Sequence, residues 1–276
     1  MVRENVAAGF RGIPGRYRQF SLATFGDSPD PPPRETVIRL TFVRSDMTRT
    51  AVVAGVGPGL GASLARRFDA EGCEVALFAR SSGFIEGLAD ELEAGLAVTV
   101  DVADPDAVTA GFESVREAFG PVDVLVFNAS GASWTGLLDT GTEAFRDALA
   151  VGVEGAFHCA QEAVSDMTED EGGTVLFTGA TTSVRGREGA VGFSAAKFGA
   201  RGLAESMARE LGPEGVHVAH VVVDGQILAP GTDTGDRAEG EYLDPDAMAA
   251  EYWKLVEQDR STWTLELDLR PHVEPF

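Results

Sequence analysis

Lysine is nearly absent. The 276 residues hold two, Lys197 and Lys254, against 44 aspartates and glutamates. The formal net charge of −22, with a pI near 4.4, repels nucleic acid and anionic membrane surfaces and argues against both as partners. Such a charge also opposes compaction unless salt screens it, and many carboxylates with few lysines are typical of proteins from salt-accumulating microbes. A halophilic setting is the expectation; an ordinary acidic bacterial protein is the alternative.

Cysteine is as sparse. Cys73 and Cys159 lie in apolar stretches and read as buried small hydrophobes, not as a disulfide or catalytic thiols. The four histidines form no ligand cluster: His217 and His220 stand three apart in a strand-like run, which puts them on opposite faces. Metal is not expected. No apolar run reaches the ~18 residues a membrane span needs. Residues 1–20 are polar and Arg-rich, without the apolar centre of a signal peptide. A cytoplasmic location is the default expectation.

What is present is a chain of balanced hydropathy, 44% hydrophobic, long enough for one large α/β domain. Residues 1–46 differ from the rest: seven arginines against five acids make them about +2, leaving −24 for residues 47–276. This segment contains Pro31-Pro32-Pro33 and shows no periodicity, so it is expected to be disordered or to precede a natural start at Met47. Beyond it, apolar runs at 51–54, 75–78, 97–100, 122–127, 174–178, 216–223 and 264–267 read as strands. Between them, helical patterns run over 60–70, 84–93, 105–119, 142–167, 191–211 and 245–257. The alternation predicts βαβ units in a single-domain, Rossmann-type, doubly wound parallel sheet of seven strands.

The first strand ends in Ala54-Gly55-Val56-Gly57-Pro58-Gly59-Leu60-Gly61 and leads into a helix. Glycines there let the backbone turn sharply and approach a pyrophosphate seated at the positive end of that helix. Strand two is followed by Arg80, with no acid to hold a ribose hydroxyl pair, which suits a 2′-phosphate; a solvated loop residue is the alternative. Strand three leads to Asp101-Val102, where a carboxylate can accept from an adenine amino group.

These features resemble the short-chain dehydrogenase/reductase family. Gly55, Gly59 and Gly61 are spaced like its Gly-x-x-x-Gly-x-Gly loop, Asp101-Val102 is similar to its adenine-side pair, and Asn128-Ala129-Ser130-Gly131 resembles its Asn-Asn-Ala-Gly segment. Lys197 aligns with the lysine of its Tyr-x-x-x-Lys motif, and Asp224-Gly225 falls where the family has Pro-Gly. The resemblance implies a cofactor site made by Gly55, Gly57, Gly59, Leu60, Gly61, Arg80, Asp101, Val102, Asn128, Ala129, Lys197 and Ile227, with NADP(H) favoured over NAD(H). It also implies a homodimer or homotetramer. Residues 55–59 resemble the methyltransferase Gly-x-Gly-x-Gly loop too, but Ala79-Arg80 lacks the acid of those enzymes.

In the family, a tyrosine exchanges the substrate proton, a lysine lowers its pKa, a serine orients the substrate oxygen and an asparagine supports the relay. Here Phe193 stands at the tyrosine position, Ala180 at the serine position and Gly152 at the asparagine position; Lys197 remains. Even the threonine expected after strand six aligns near Ala229. Loss of a positioned general acid lowers the rate ~10²–10⁴-fold. Thr181 and Asp224 are the candidate replacements, Asp224 as a desolvated acid or else as the cap of the next turn. The implied function is hydride transfer between NADP(H) and a carbonyl or alcohol through a non-standard proton donor. A cofactor-binding sensor, scaffold or partner subunit is the alternative.

Overall fold

The computed structural model describes residues 48–131 and 134–274; the expectation for residues 1–46 lies outside them. Seven strands form one sheet, every pair of them parallel: β1 (Thr50–Ala54), β2 (Glu74–Ala79), β3 (Gly95–Thr99), β4 (Val124–Phe127), β5 (Gly173–Thr178), β6 (Val216–Val223) and β7 (Glu266–Leu269). Their order is β3-β2-β1-β4-β5-β6-β7. The chain reverses direction across the sheet between β1 and β4, and the crevice over that switch point is where such sheets bind ligands.

Both faces of the central strands are covered, so they read as continuous apolar runs; β6 is buried at all eight positions. On one face α1 (Leu60–Ala70) and α7 (Pro245–Val256) bring Leu64, Phe68, Tyr252 and Leu255 onto the sheet. On the other, α3 (Pro105–Ala118), α5 (Gly155–Glu169) and α6 (Val191–Leu211) supply Phe112, Cys159, Ala163 and Ala204. Helix α2 (Ser82–Glu91) flanks β2 and β3 through Ile85 and Leu88. Both cysteines are free and buried, and burial pushes each thiol up to about 12.

Helix α2 and strand β3 each start two residues earlier than the sequence expectation, and three further differences stand out. Residues 142–167 form two helices, α4 (Thr142–Leu149) and α5, joined by a π-helical turn at Ala150–Glu154. Strand β4 starts two residues late, because Asp123 uses its carboxylate to accept from the Thr50 amide at 2.8 Å. Strand β7 lies two residues further on than its apolar pattern, over Glu266–Leu269. Thr264 there uses its carbonyl oxygen on His217, and its amide donates to Gln258, so neither joins the ladder. His217 and His220 do point to opposite faces: His217 meets the Leu255 and Thr264 carbonyls, His220 meets Ser183 and Glu266. No described helix is long and apolar enough to cross a membrane.

Candidate functional site

The phosphate side of the crevice is built from backbone. β1 ends at Ala54 and the chain turns on Gly55 at φ +98°, a conformation that glycine alone adopts freely. A Cβ on Gly55 would lie 2.3 Å from the Ala129 nitrogen, and one on Gly61 would lie 2.9 Å from the Gly55 oxygen. Asn128 locks this packing: its side-chain amide donates to the Gly55 carbonyl at 2.8 Å, and its backbone N–H donates to Ala54 at 2.8 Å. Gly57, by contrast, has nothing within 4 Å of its missing Cβ, which leaves the loop open where a ligand would approach. No side chain caps α1 at Gly59, so its first amides are a seat for an anion. Leu60 plugs the helix start from below, 5% exposed. Ala229 returns over the loop, 3.3 Å from where a Gly59 Cβ would be. The residues present therefore fit a dinucleotide diphosphate.

Further along the same edge, Arg80 is exposed after β2. Beside it Ser81 is the N-cap of α2, yet its hydroxyl makes no capping bond. Past β3, the exposed Asp101 accepts from the Ala103 amide at 3.1 Å, while Val102 is buried and its carbonyl abuts Gly155, where a Cβ would sit 2.7 Å away. Ile227 pairs with Leu243 in an isolated parallel bridge and packs on the core.

The other half of the edge is made by side chains. Lys197 is 6% exposed; its Nζ donates to the Thr178 carbonyl at 2.8 Å and lies 5.7 Å from the centre of the Phe193 ring. Burial pushes its amine down to about 8. Trp134 packs on Phe193 at 4.9 Å between ring centres, and the Arg187 guanidinium covers Trp134 at 5.4 Å. Gly152 sits in the π turn, and a Cβ there would come within 2.9 Å of the Ala196 Cβ, next to Lys197. The Ala180 amide donates to Ser183 Oγ at 3.0 Å.

Asp224 does not cap the following turn. It is 1% exposed, accepts from Thr181 Oγ1 at 2.6 Å, and pairs with Arg185 at 3.0 Å and Arg270 at 3.2 Å. Its oxygens therefore point back toward the β5 end and the C-terminal segment. Thr181 Oγ1 has one proton and a carboxylate has none, so the threonine is the donor in that bond and offers only lone pairs elsewhere. The structure thus brings Lys197, Phe193, Gly152, Ala180, Thr181 and Asp224 to one end of the crevice. Sequence reasoning missed Trp134, Arg270, Ser183 and His220. Arg185 pairs with a carboxylate and Arg187 covers a ring, and nothing in their sequence spacing distinguishes the two.

The fold and the glycine loop define a dinucleotide-binding α/β protein. The family described as short chain dehydrogenase matches residues 49–233, and the chain belongs to it. The 3-oxoacyl-[acyl-carrier-protein] reductase MabA of Mycobacterium bovis is 35% identical over 181 residues, 66% of this chain and 70% of that protein. FabG of Staphylococcus aureus, a reductase of the same description, is 32% identical, covering 68% and 78%. Among solved structures, a short-chain dehydrogenase from Rhodopseudomonas palustris superposes with a TM-score of 0.71 at 34% identity, covering 81% of this chain and 99% of that one. An alcohol dehydrogenase from Thermococcus sibiricus, complexed with 5-hydroxy-NADP, superposes at 0.75 with 26% identity, covering 83% and 99%. By family, the chain is an NAD(P)-dependent short-chain oxidoreductase.

Proposed function

We propose that the protein transfers hydride between NADP(H) and a small carbonyl or alcohol, with Lys197 in place of the usual tyrosine as proton donor. The carrying observation is the Lys197 ammonium, buried beside a Phe193 ring that has no proton to give. In this reading Phe193 occupies the tyrosine position of the family motif and Ala180 the serine position. Thr181, its proton on Asp224, accepts from a substrate hydroxyl instead of donating to a carbonyl. Asp224, held by Arg185 and Arg270, fixes the direction of that hydroxyl. NADPH when bound supplies the hydride; the protein's own share is to seat the diphosphate on residues 55–61 and to deliver the proton. The preference for NADP rests on Arg80 and the uncapped Ser81 at the start of α2, a cation and a hydroxyl beside a helix N-terminus.

The test is single-turnover oxidation of NADPH against a carbonyl panel in molar KCl. Turnover is expected to fall as pH rises through about 8, because the donor is the protonated amine, and to vanish in Lys197→Met. A second reading, cofactor binding without turnover, is favoured by one observation: Trp134 lies on Phe193, and neither Phe193 nor Thr181 has a proton for a carbonyl. Under that reading the native chain is inert and Phe193→Tyr with Ala180→Ser gains about 10²–10⁴-fold. Gly152→Asn is left out of the variant because its Cβ would strike Ala196.

A further inference from the structure

One row of polar groups beneath the reaction end is not used by the proposed chemistry. Its members come from three elements: Glu266 on β7, His220 on β6 and Ser183 in the short 3₁₀ turn Thr181–Ser183 after β5. Glu266 Oε2 lies 3.1 Å from His220 Nδ1, and His220 Nε2 lies 3.2 Å from Ser183 Oγ. That oxygen in turn accepts the Ala180 N–H at 3.0 Å. His220 is 1% exposed and Ser183 is fully buried. The order serine, histidine, carboxylate is that of a nucleophilic triad. Burial removes that role, since no substrate reaches Ser183.

The protons in the row can be assigned. Arg201 donates through Nε and Nη2 to both Glu266 oxygens, so the carboxylate is ionised and only accepts. His220 Nδ1 must then carry the ring proton, which leaves Nε2 as an acceptor and makes Ser183 its donor. Ser183 keeps its lone pairs for the Ala180 amide. Every donor has one acceptor. The backbone is pressed against this row: a Cβ on Gly179 would lie 2.2 Å from His220 Nε2 and 2.9 Å from Ser183 Oγ. One residue earlier, the Thr178 carbonyl is the anchor of Lys197.

We propose that Glu266, His220 and Ser183 form a positioning chain that sets residues 178–183, and through them both Lys197 and Thr181. The consequence for catalysis rests on the reaction-site reading above; the chain itself does not. His220 works in its neutral form. A second ring proton would make Nε2 a donor and turn the Ser183 proton out of the bond, inside a site closed to water. The charged groups facing the ring are Glu266 from β7 and Arg201 and Lys197 from α6, and burial pushes the imidazole below its ordinary value.

Ring ¹⁵N spectra of the native chain test this without any substrate. His220 is expected in the Nδ1–H tautomer and still neutral below pH 6.5; Ser183→Ala should shift its Nε2 signal and leave His217 unmoved. An Nε2–H tautomer, or titration at the ordinary imidazole pH, overturns the chain. In Ser183→Ala, amide exchange across residues 180–185 should quicken at least tenfold, and unchanged protection would also overturn it. For catalysis, Ser183→Ala is expected to lower the single-turnover rate about tenfold, as a small misplacement does, with NADPH affinity held within twofold. An unchanged rate overturns the positioning role. If the native chain transfers no hydride at all, the reaction-site reading fails while the spectra and the exchange data still decide the chain.

Discussion

The two ends of the crevice are made of different materials. At the diphosphate end, residues 55–61 act through peptide groups and through the absence of side chains, locked by the Asn128 side-chain amide on the Gly55 carbonyl: the closest approaches are Gly55 to Ala129 and Gly61 to Gly55. At the reaction end, the same sheet edge is held by side-chain pairs that join distant parts of the chain, Thr181 to Asp224, Ser183 to His220 and Asp224 to Arg270. A backbone site tolerates almost no change at its packed glycines. A side-chain site can be re-equipped residue by residue, because each partner is a separate choice.

The sharpest way to break this comparison is inside the glycine loop. Gly55→Val combines a positive φ with a Cβ pressed into the Ala129 backbone and is expected to destabilise by several kcal/mol, about 4 or more. Gly57→Ala meets nothing within 4 Å and should melt within ~0.5 kcal/mol of the native chain, yet bind NADPH more weakly. Thermal melts and calorimetry on the two variants separate folding from binding. If Gly57→Ala binds NADPH as the native chain does, the open side of the loop is not the ligand side.

The contrast between the two ends also explains what could be read in advance. Glycine spacing, an asparagine after β4 and alternating apolar runs are local signals, so the sheet, the loop and Asn128 were legible. Asp224 was read as a desolvated acid or else as the cap of the next turn, and its sequence neighbours could not decide between the two. Its true partners lie 43 residues before it and near the C-terminus, and no local pattern marks them. The π turn at Ala150–Glu154 was hidden for a related reason. Apolar periodicity runs through it, and only the approach of Gly152 to Ala196 on α6 shows why a small residue is needed there. The strand β7 was misplaced by two residues because its exposed edge carries Glu266 and Asp268, charges that break the apolar signal.

A middle-sized effect tests the reaction end by itself. Lys197 carries a buried ammonium at neutral pH, and burial opposes that charge. The folded amine titrates near 8 and the unfolded one near 10.5, so the unfolded chain binds the extra proton between those values. The folded state is therefore penalised in full below about pH 8, and the penalty fades as pH rises to 10.5. Lys197→Met should raise stability at pH 7 by up to about 3 kcal/mol, less the lost bond to Thr178, and the gain should be gone above pH 10.5. Denaturant midpoints measured at both pH values check it. A lysine kept at a position where it weakens the fold is a residue retained for function, whereas a loss of stability at pH 7 would make Lys197 an ordinary structural contact.

The smallest expected effect lies back at the nucleotide end, at the charged side chain of Arg80. Arg80 is exposed, so its attraction for a 2′-phosphate is screened, and an exposed charge pair contributes little unless the anion meets further donors. Here the further donors are the Ser81 hydroxyl, unused as a cap, and the first amides of α2. Together they should give NADPH an advantage over NADH of roughly tenfold, about 1.4 kcal/mol. Arg80→Ala should weaken NADPH by about that factor and leave NADH unchanged, and the gap between native and variant should narrow as KCl is raised. Equal losses for both cofactors would mean that Arg80 supports the loop and not the phosphate. Specificity would then have to reside in the backbone, as the rest of the diphosphate end does.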